Sequence, residues 1–425
     1  MVEATLDVTV GRQQRRGGAH GIVAIAWRNL WRNRRRTWLM ASGIGFAVWM
    51  LVFAQSVQMG TFNVMVDNGA RMSLGHVQVQ HPDYHDNPRL EDLLSDAPAL
   101  RKSIESLDGV VAASLRAQSF ALVSAEERSF GAQIMGVEAD REAKWSTLPT
   151  MIADGRYLSG PGEAYVGAVL ARNLGLRVGD ELVMLGTAKQ GGVAAAVARV
   201  VGIFDTGMVD VDRALVQIPI ADFQDAWSLE VDEAHTLVVL AEGVESSLEL
   251  AEEVAETAVG LNTLNWHVLM PEMVQFIELK AVGVQLIFVL IAIIVTFSVI
   301  NAFMMTVFER TPEFGMLKAI GMRPGAILVQ LQLEAIWLWA LGISVGIGAA
   351  VLLVGALGIS GIPLPAGTEE ILRGMNMPNR LYPGYSWEAT WIGVITMFVG
   401  TQVAVLVPGL RLRRLRCVEA LRAQE

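Results

Sequence analysis

Residues Ala281–Phe308 read AVGVQLIFVLIAIIVTFSVINAFMMTVF and carry no charged side chain. A bilayer core about 30 Å thick needs roughly 20 consecutive apolar residues in a helix to cross it. This stretch exceeds that length. Three more reach it: Trp38–Gly60, Ala326–Ser360 with the single acid Glu334, and Trp387–Gly409. One such run is compatible with a buried core helix, but four form the pattern of a membrane protein. Composition agrees: the 425 residues are 52% hydrophobic and 18% charged, with mean hydropathy +0.42. Soluble chains carry about 25% charged residues. Disorder, a collagen-like chain and a purely soluble enzyme are excluded on these grounds. The first run lies after residues 1–37 and lacks a following small-x-small cleavage pattern, so it is expected to be a retained helix rather than a signal peptide.

Lysines and arginines orient the spans. Arg28, Arg32, Arg34, Arg35 and Arg36 precede the first. Arg310, Lys318 and Arg323 lie between the second and third. Arg411, Arg413, Arg414 and Arg416 follow the fourth. With four crossings these regions share one side, so both termini are expected in the cytoplasm and the chain in a bacterial inner membrane. Residues 61–275 then lie outside. They hold 14 basic and 32 acidic side chains, a balance of −18, against +8 for the rest of the chain. An asymmetry of this size supports the topology. The overall charge of −10 argues against a nucleic-acid partner.

The expected fold is an α-helical membrane domain of four transmembrane helices with a large α+β extracytoplasmic domain inserted between helices 1 and 2. The expected order is a cytoplasmic tail (1–20), an amphipathic helix (21–37), span 1 (38–60), the periplasmic domain with helical stalks (61–275) and span 2 (281–308). A cytoplasmic segment (309–325), span 3 (326–360), a short periplasmic loop (361–386), span 4 (387–409) and a basic cytoplasmic tail (410–425) follow. Trp27, Trp31, Trp38 and Trp266–Pro271 fit interfacial anchoring. Met59–Leu74 and Pro271–Lys280 are expected to continue the first two spans as stalks that pass motion across the membrane.

Within the outer domain, His76–Gln80 (HVQVQ), Val110–Val123, Phe130–Val137, Leu215–Ile218 and Thr236–Leu240 read as strands. Asp180–Leu185 and Val193–Phe204 read as a hairpin around Lys189–Gly192. Helices are expected at Asp96–Leu107 with Asp96 as cap, at Ala164–Leu174 ending on Gly175, at Ile220–Trp227 and at Ser246–Val259. Strands and helices interleave without a regular βαβ period, which favours α+β over a doubly wound sheet.

Chemical motifs are sparse. No G-x-x-x-x-G-K-[ST], HExxH, G-x-S-x-G or strand-following GxGxxG is present, so the chain carries no phosphate cradle or catalytic signature of its own. No catalytic residue is assigned. One cysteine, Cys417, rules out an intramolecular disulfide and a multi-cysteine zinc site. His81-Pro82-Asp83-Tyr84-His85-Asp86 has metal-ligand chemistry, but it reads better as a polar loop with turn prolines, and no metal is expected. Glu334, only about 12 Å of helix from Ala326, is expected at the cytoplasmic interface or paired with a basic residue there. Gly43 and Gly45, with Gly342, Gly346 and Gly348, offer small faces that suit either internal packing or a subunit contact. Phe46, Val48, Met50 and Phe53, or Ile287, Val289 and Phe297, would suit either an apolar cargo or lipid.

Directly after span 2 the chain reads ERTPEFGMLKAIGMRP (309–324). Pro312 suits a first helical turn, acids come early, Lys318 comes late and Gly321 can terminate the helix. A short amphipathic helix is expected over Pro312–Ile320, with Phe314, Leu317 and Ile320 on one face. This segment resembles the coupling helix of the MacB/FtsX/LolC–LolE type of ABC transporter permease, the type VII exporter fold. His20–Thr37 (HGIVAIAWRNLWRNRRRT) is similar to that family's Arg-rich amphipathic helix. Leu174–Leu182 (LGLRVGDEL) resembles its periplasmic motif, and Val407–Arg422 (VPGLRLRRLRCVEALR) its C-terminal motif. The resemblance covers essentially the whole chain.

The resemblance implies a non-catalytic permease. It would pair with a separate cytoplasmic ABC ATPase dimer, which binds ATP and Mg, and with a second permease chain, identical or paralogous. Coupling would fall to Glu309, Arg310, Pro312, Glu313, Phe314, Gly315, Leu317, Lys318, Ala319 and Gly321. ATP-driven closure would reach the periplasm by mechanotransmission. GHVQVQHPDYHDNP resembles the LolC/LolE lipoprotein-releasing branch, so the expected cargo is a lipoprotein or another amphipathic molecule, with a periplasmic carrier or adaptor as a further partner. In LolC a long hairpin captures the lipoprotein carrier; the corresponding hairpin here, Thr187–Val193, is short, which fits a LolE-like partner or another branch. The alternatives are a tripartite efflux permease for small molecules or peptides, and an FtsX-like regulator of a periplasmic cell-wall hydrolase.

Overall fold

The computed structural model describes residues 23–363, 367 and 380–414. Helix α1 (residues 23–32) precedes α2 (Arg34–Gly69), whose end passes into a π-helical turn, Ala70–Leu74. Then follow β1 (Val77–Gln80), α3 (Ala97–Glu105), β2 (Val110–Ala125), β3 (Arg128–Val137), α4 (Ala139–Trp145), β4 (Ile152–Gly155) and β5 (Glu163–Gly167). Next come α5 (Ala168–Leu174), β6 (Glu181–Thr187), β7 (Val193–Phe204), α6 (Val209–Ala214), β8 (Leu215–Pro219) and α7 (Ile220–Trp227). The middle of the chain closes with β9 (Thr236–Ala241), α8 (Ser246–Thr257), β10 (Asn262–Asn265) and α9 (Trp266–Leu269). Long helices return with α10 (Pro271–Glu309), the short α11 (Thr311–Ala319), α12 (Pro324–Ser360) and α13 (Trp387–Arg414). Residues 415–422 of the expected motif Val407–Arg422 lie outside the described residues.

The chain divides into two compact units. The first takes in the helical residues up to Gly60, Glu278–Ile362 and the chain from Tyr382. Among the described residues four helices are long and apolar enough to cross a membrane: Arg34–Leu74, Pro271–Glu309, Pro324–Ser360 and Trp387–Leu410. Their shared core in this unit contains Ile44, Val48 and Leu51 of α2, Phe303 and Val307 of α10, Leu331 and Leu338 of α12, and Met397 of α13. Between lipid-soluble helices the hydrophobic effect supplies little attraction, so close van der Waals packing must. Glycines provide it here. A Cβ at Gly346 would stand 2.4 Å from the Gly45 carbonyl oxygen, and one at Gly45 would stand 2.9 Å from that of Gly342. The small faces of α2 and α12 therefore pack on each other inside the chain. Gly348 meets nothing within 4 Å.

The second unit, Thr61–Ile277 with Pro363–Leu381, is built on a ten-stranded sheet. Its order is β10-β1-β9-β2-β3-β8-β5-β7-β4, with β6 bridging β2 and β7. Most pairs are antiparallel; β3–β8 and β5–β7 are parallel. The 16-residue β2 is the spine. Its first half pairs with β9 and its second half with β3 and β6. On one side α3 and α8 cover Val79, Leu115 and Leu237 with Ile104, Leu250 and Val254. Elsewhere Phe223 and Trp227 of α7 stack at 4.4 Å over Ile134 and Leu182.

Several local expectations need correction. Residues 164–167 form a strand, and only Ala168–Leu174 is helical. Ala164, Tyr165 and Val166 are fully buried between β7 and β8, where sheet pairing overrides helical spacing. Asp96 is no side-chain cap: its backbone is left-handed (φ 51°) and only its carbonyl oxygen accepts, from Ala99 and Leu100 N–H. Trp266 is no interfacial anchor, because it is buried with Val66, Trp145 and Leu240. Trp27 and Trp38 are about half exposed, as anchors would be. Elements α4, β4, α6, β10 and α9 went unread in the sequence.

Two predictions follow from this packing. Gly346→Val, measured by thermal unfolding in detergent, is expected to cost about 1–3 kcal/mol through overpacking, whereas Gly348→Ala leaves stability unchanged or slightly raised. The second concerns His235, which is fully buried, accepts the Gln118 N–H at 3.1 Å through Nδ1, and is pushed by burial down to about 4. Its folded value lies below the unfolded one near 6.5, so the fold disfavours the charged form. Stability is then complete above pH 6.5 and is lost as pH falls toward 4. His235→Gln flattens that slope in a pH series of unfolding midpoints.

Candidate functional site

Helix α11 begins where Arg310 leaves helical geometry (φ −101°, ψ 10°) and Pro312 enters the first turn. It ends at Gly321 in a left-handed conformation (φ 101°) that a side chain would strain. The Met322 N–H then closes onto the Leu317 carbonyl at 2.9 Å, capping a last turn that would otherwise leave carbonyls unpaired.

Arg310 is the hub. Its side chain is 8% exposed. Nε donates to Glu313 Oε2 at 2.9 Å, and Nη1 to Glu334 Oε1 at 3.1 Å. Its guanidinium lies 5.1 Å from the centre of the Phe314 ring, within cation–π range. Glu334, 7% exposed, also accepts from Asn29 Nδ2 at 2.7 Å. A carboxylate this deeply buried needs such donors, because desolvation of a lone charge costs several kcal/mol. Arg32 and Arg36 add 2.9 Å bonds to Glu313 and Glu309. For Glu313, partial burial raises the pKa, but the hydrogen bonds from Arg310 and Arg32 outweigh it and hold the carboxyl below its usual range. The short helix and its N-cap Arg310 are thus fastened to α12 by a buried ion pair and to α1 by an exposed one, while Arg36 ties α2 to the end of α10.

The expected coupling residues separate onto two faces. Phe314 and Gly315 are buried, and Leu317 packs on the helical core, so none of them is presented outward. Thr311, Pro312 and Lys318 are half-buried. Glu313, Met316, Ala319, Ile320, Gly321 and Met322 are exposed, Ile320 by 79%. The expectation that Phe314, Leu317 and Ile320 share one face is therefore corrected. Ile320 lies six residues beyond Phe314, well out of phase with a 3.6-residue turn. Met316 and Ile320, four apart, form the exposed apolar ridge instead. Arg32, Arg36, Asn29 and the pairing of Arg310 were missed in the sequence, since Arg32 and Glu313 lie 281 residues apart. Only the charge of Glu334 inside an apolar run signalled that a partner was needed.

The other candidates carry less. Among the described residues no group of three or more His, Cys, Asp or Glu side chains converges to hold a metal. His81 accepts the Asp83 N–H at 3.3 Å in a turn, and His85 is exposed. The Lys189–Gly192 hairpin tip is folded down: Lys189 Nζ bonds Glu233 at 2.6 Å and its N–H reaches the Trp227 carbonyl. Of the apolar residues considered for cargo, Val48 is fully buried in the helical core, whereas Phe46, Ile287, Val289 and Phe297 are exposed.

This architecture has relatives. A family model described as MacB-like periplasmic core domain matches residues 37–257, and one described as FtsX-like permease C-terminal matches residues 286–416. The chain belongs to the MacB/FtsX/LolC-type ABC permease family and is a membrane protein. The lipoprotein-releasing system transmembrane protein LolC of Neisseria meningitidis serogroup B is 22% identical over 328 residues, covering 75% of this chain and 76% of the relative. Among solved structures, the extracellular domain of the noncanonic ABC-type transporter YknZ from Gram-positive bacteria aligns at 13% identity. It covers 44% of this chain and 98% of that one, with TM-score 0.34. The periplasmic region of MacB from Actinobacillus actinomycetemcomitans aligns at 8% identity, covering 47% and 94%, with TM-score 0.35.

The two classes of ion pair give a contrast to measure. Glu334→Ala leaves the buried Arg310 with only the half-exposed Glu313 as partner and is expected to cost about 3 kcal/mol, the lower end for a broken buried pair, in denaturation of the detergent-solubilised chain. Glu309→Ala removes an exposed pair with Arg36 and is expected to cost no more than about 1 kcal/mol.

Proposed function

We propose that this chain is the membrane subunit of an ABC transporter whose separate cytoplasmic ATPase docks on α11. Met316, Ile320 and Met322 enter the ATPase groove, with Glu313 and Arg323 at its rim. The ATPase binds ATP and Mg; this chain supplies no catalytic residue. The observation that carries the reading is the division of α11 into a fastened face and an exposed apolar face. A force on Ile320 reaches α12 through the Arg310–Glu334 pair rather than being lost in a flexible loop.

The output lies in the outer domain. Helix α2 runs unbroken from Arg34 to Gly69. Its last turns meet the first turns of α10 through Phe62 and Phe276, whose rings lie 6.2 Å apart edge to face. The π-helical turn after α2 is gripped by the domain: Arg116 donates to the Ser73 carbonyl, and the Thr147 N–H to that of Arg71. Motion of α2 along its axis is thereby delivered to the sheet. Two such chains work together in a bacterial inner membrane, termini inward. The cargo is a lipoprotein or another amphipathic molecule, a reading supported by the name of the LolC relative. The pinned Lys189 hairpin fits a chain that leaves capture of a soluble carrier to its partner.

The test is affinity purification of the tagged chain from its native membrane, with co-purifying proteins identified by mass spectrometry. Wild type is expected to bring down a stoichiometric ABC ATPase. Met316→Asp and Ile320→Asp are expected to lose it with unchanged melting of the chain. Recovery of the ATPase with both variants, or with neither variant nor wild type, rejects the docking.

A further inference from the structure

The VQVQ strand holds more than its alternation suggests. Val77 and Val79 enter the domain core, but Gln78 and Gln80 on the other face are also buried, at 6% and 4% exposure. The register places Gln80, Thr236 and Arg116 in one row across β1, β9 and β2. Gln118 stands beside Met135, and Gln133 beside Leu215, on the same face. One side of these strands is thus an ordinary apolar core, and the other is a layer of amides.

That amide layer floors a cavity of about 420 Å³. The size falls within the range of small-molecule sites and far exceeds the roughly 30 Å³ that a water molecule occupies. Met72 and Leu74 of the π-helical turn and Val211 and Ala214 of α6 wall it in. Apolar walls with a few polar groups are the usual composition of a ligand pocket.

The polar groups define the ligand. Arg116 is not free to hold an anion: Nε and Nη2 bond both carboxylate oxygens of Glu142, at 2.7 and 2.8 Å, and Nη1 bonds the Ser73 carbonyl. The glutamines are only partly satisfied. Gln133 Nε2 donates to Gln118 Oε1 at 2.9 Å, and Gln118 Nε2 to the Tyr84 hydroxyl at 2.7 Å. Gln78 Nε2 donates to the Leu74 carbonyl at 2.6 Å. Each amide nitrogen has a second N–H. Neutral amides beside apolar walls match a group that both donates and accepts and carries an apolar substituent, and the exposed Asp210 carboxylate, which also lines the cavity, disfavours an anion.

We propose that this cavity binds a small, uncharged, amide-bearing molecule of the size of a capped amino acid or short peptide. Its amide pairs with Gln133 and Gln118, and its apolar part lies against Met72, Leu74 and Val211. An occupant touches the turn that ends α2, so the site is placed to sense or bias the stalk. The proposal does not depend on which ATPase the chain uses.

The test uses the full chain in lipid nanodiscs and N-acetyl-leucine amide as probe, titrated by saturation-transfer difference NMR. Wild type is expected to give saturable binding, and N-acetyl-leucine, with a carboxylate in place of the amide, at least about tenfold weaker binding. Gln133→Leu is expected to weaken the amide probe about fivefold. Ala214→Trp fills the cavity and is expected to abolish the signal; Gln133→Leu keeps the test decisive if that variant does not fold. A non-saturable wild-type signal means a site occupied only by water and overturns the proposal. So does binding that Gln133→Leu leaves unchanged. Equal binding of the carboxylate overturns the ligand class.

Discussion

Arg310 is a cation buried at the C-terminal end of the apolar helix α10, and the organisation of the helical unit around it follows from the need to pair it. Its desolvation is offset only if carboxylates sit within hydrogen-bond range. Glu334 supplies one from α12 and Glu313 another from α11. The pair holds α11 against α12, which directs Phe314 inward and Ile320 outward. A hydrophobic contact of similar strength would tolerate sliding. A hydrogen-bonded ion pair does not, because displacement by an ångström or two leaves both charges unsolvated. That stiffness suits a segment expected to pass on force.

A similar device recurs in the outer domain. Arg116 and Glu142 form a buried two-point pair, and the remaining guanidinium nitrogen grips the carbonyl of Ser73 beyond α2. Trp145 lies 5.3 Å from that guanidinium. Each unit therefore uses a buried arginine to lock a helix end that would otherwise fray. Packing between the long helices relies on a different interaction. There Gly45, Gly342 and Gly346 let backbones approach closely, the option open to helices whose surroundings are as apolar as their own side chains.

The two halves differ in how readily they were read. The positions of the apolar runs, the short helix between Arg310 and Gly321, and most strands of the sheet followed from hydropathy, turn residues and period-two alternation. Failures came where a tertiary neighbour decided. Ala164–Val166 has helical spacing but lies between two strands. The alternation of VQVQ ordinarily means a solvent-facing side, yet Gln78 is held by the turn at Met72–Leu74 through the Leu74 carbonyl, and Gln80 is buried with its amide donating to Gln78. Phe314, Leu317 and Ile320 are similarly apolar, but Ile320 is out of phase with Phe314 and stays exposed while the helical core takes in the other two.

Sequence alone determined where the apolar runs lie, the charge asymmetry between residues 61–275 and the remainder, and the family. These depend on composition and local periodicity, which each segment carries by itself. Tertiary structure decided which charges pair, which face of α11 is free, and that an amide-floored cavity exists. Those depend on residues such as Arg32 and Glu313 meeting across 281 positions of chain, a coincidence of packing that no local pattern encodes.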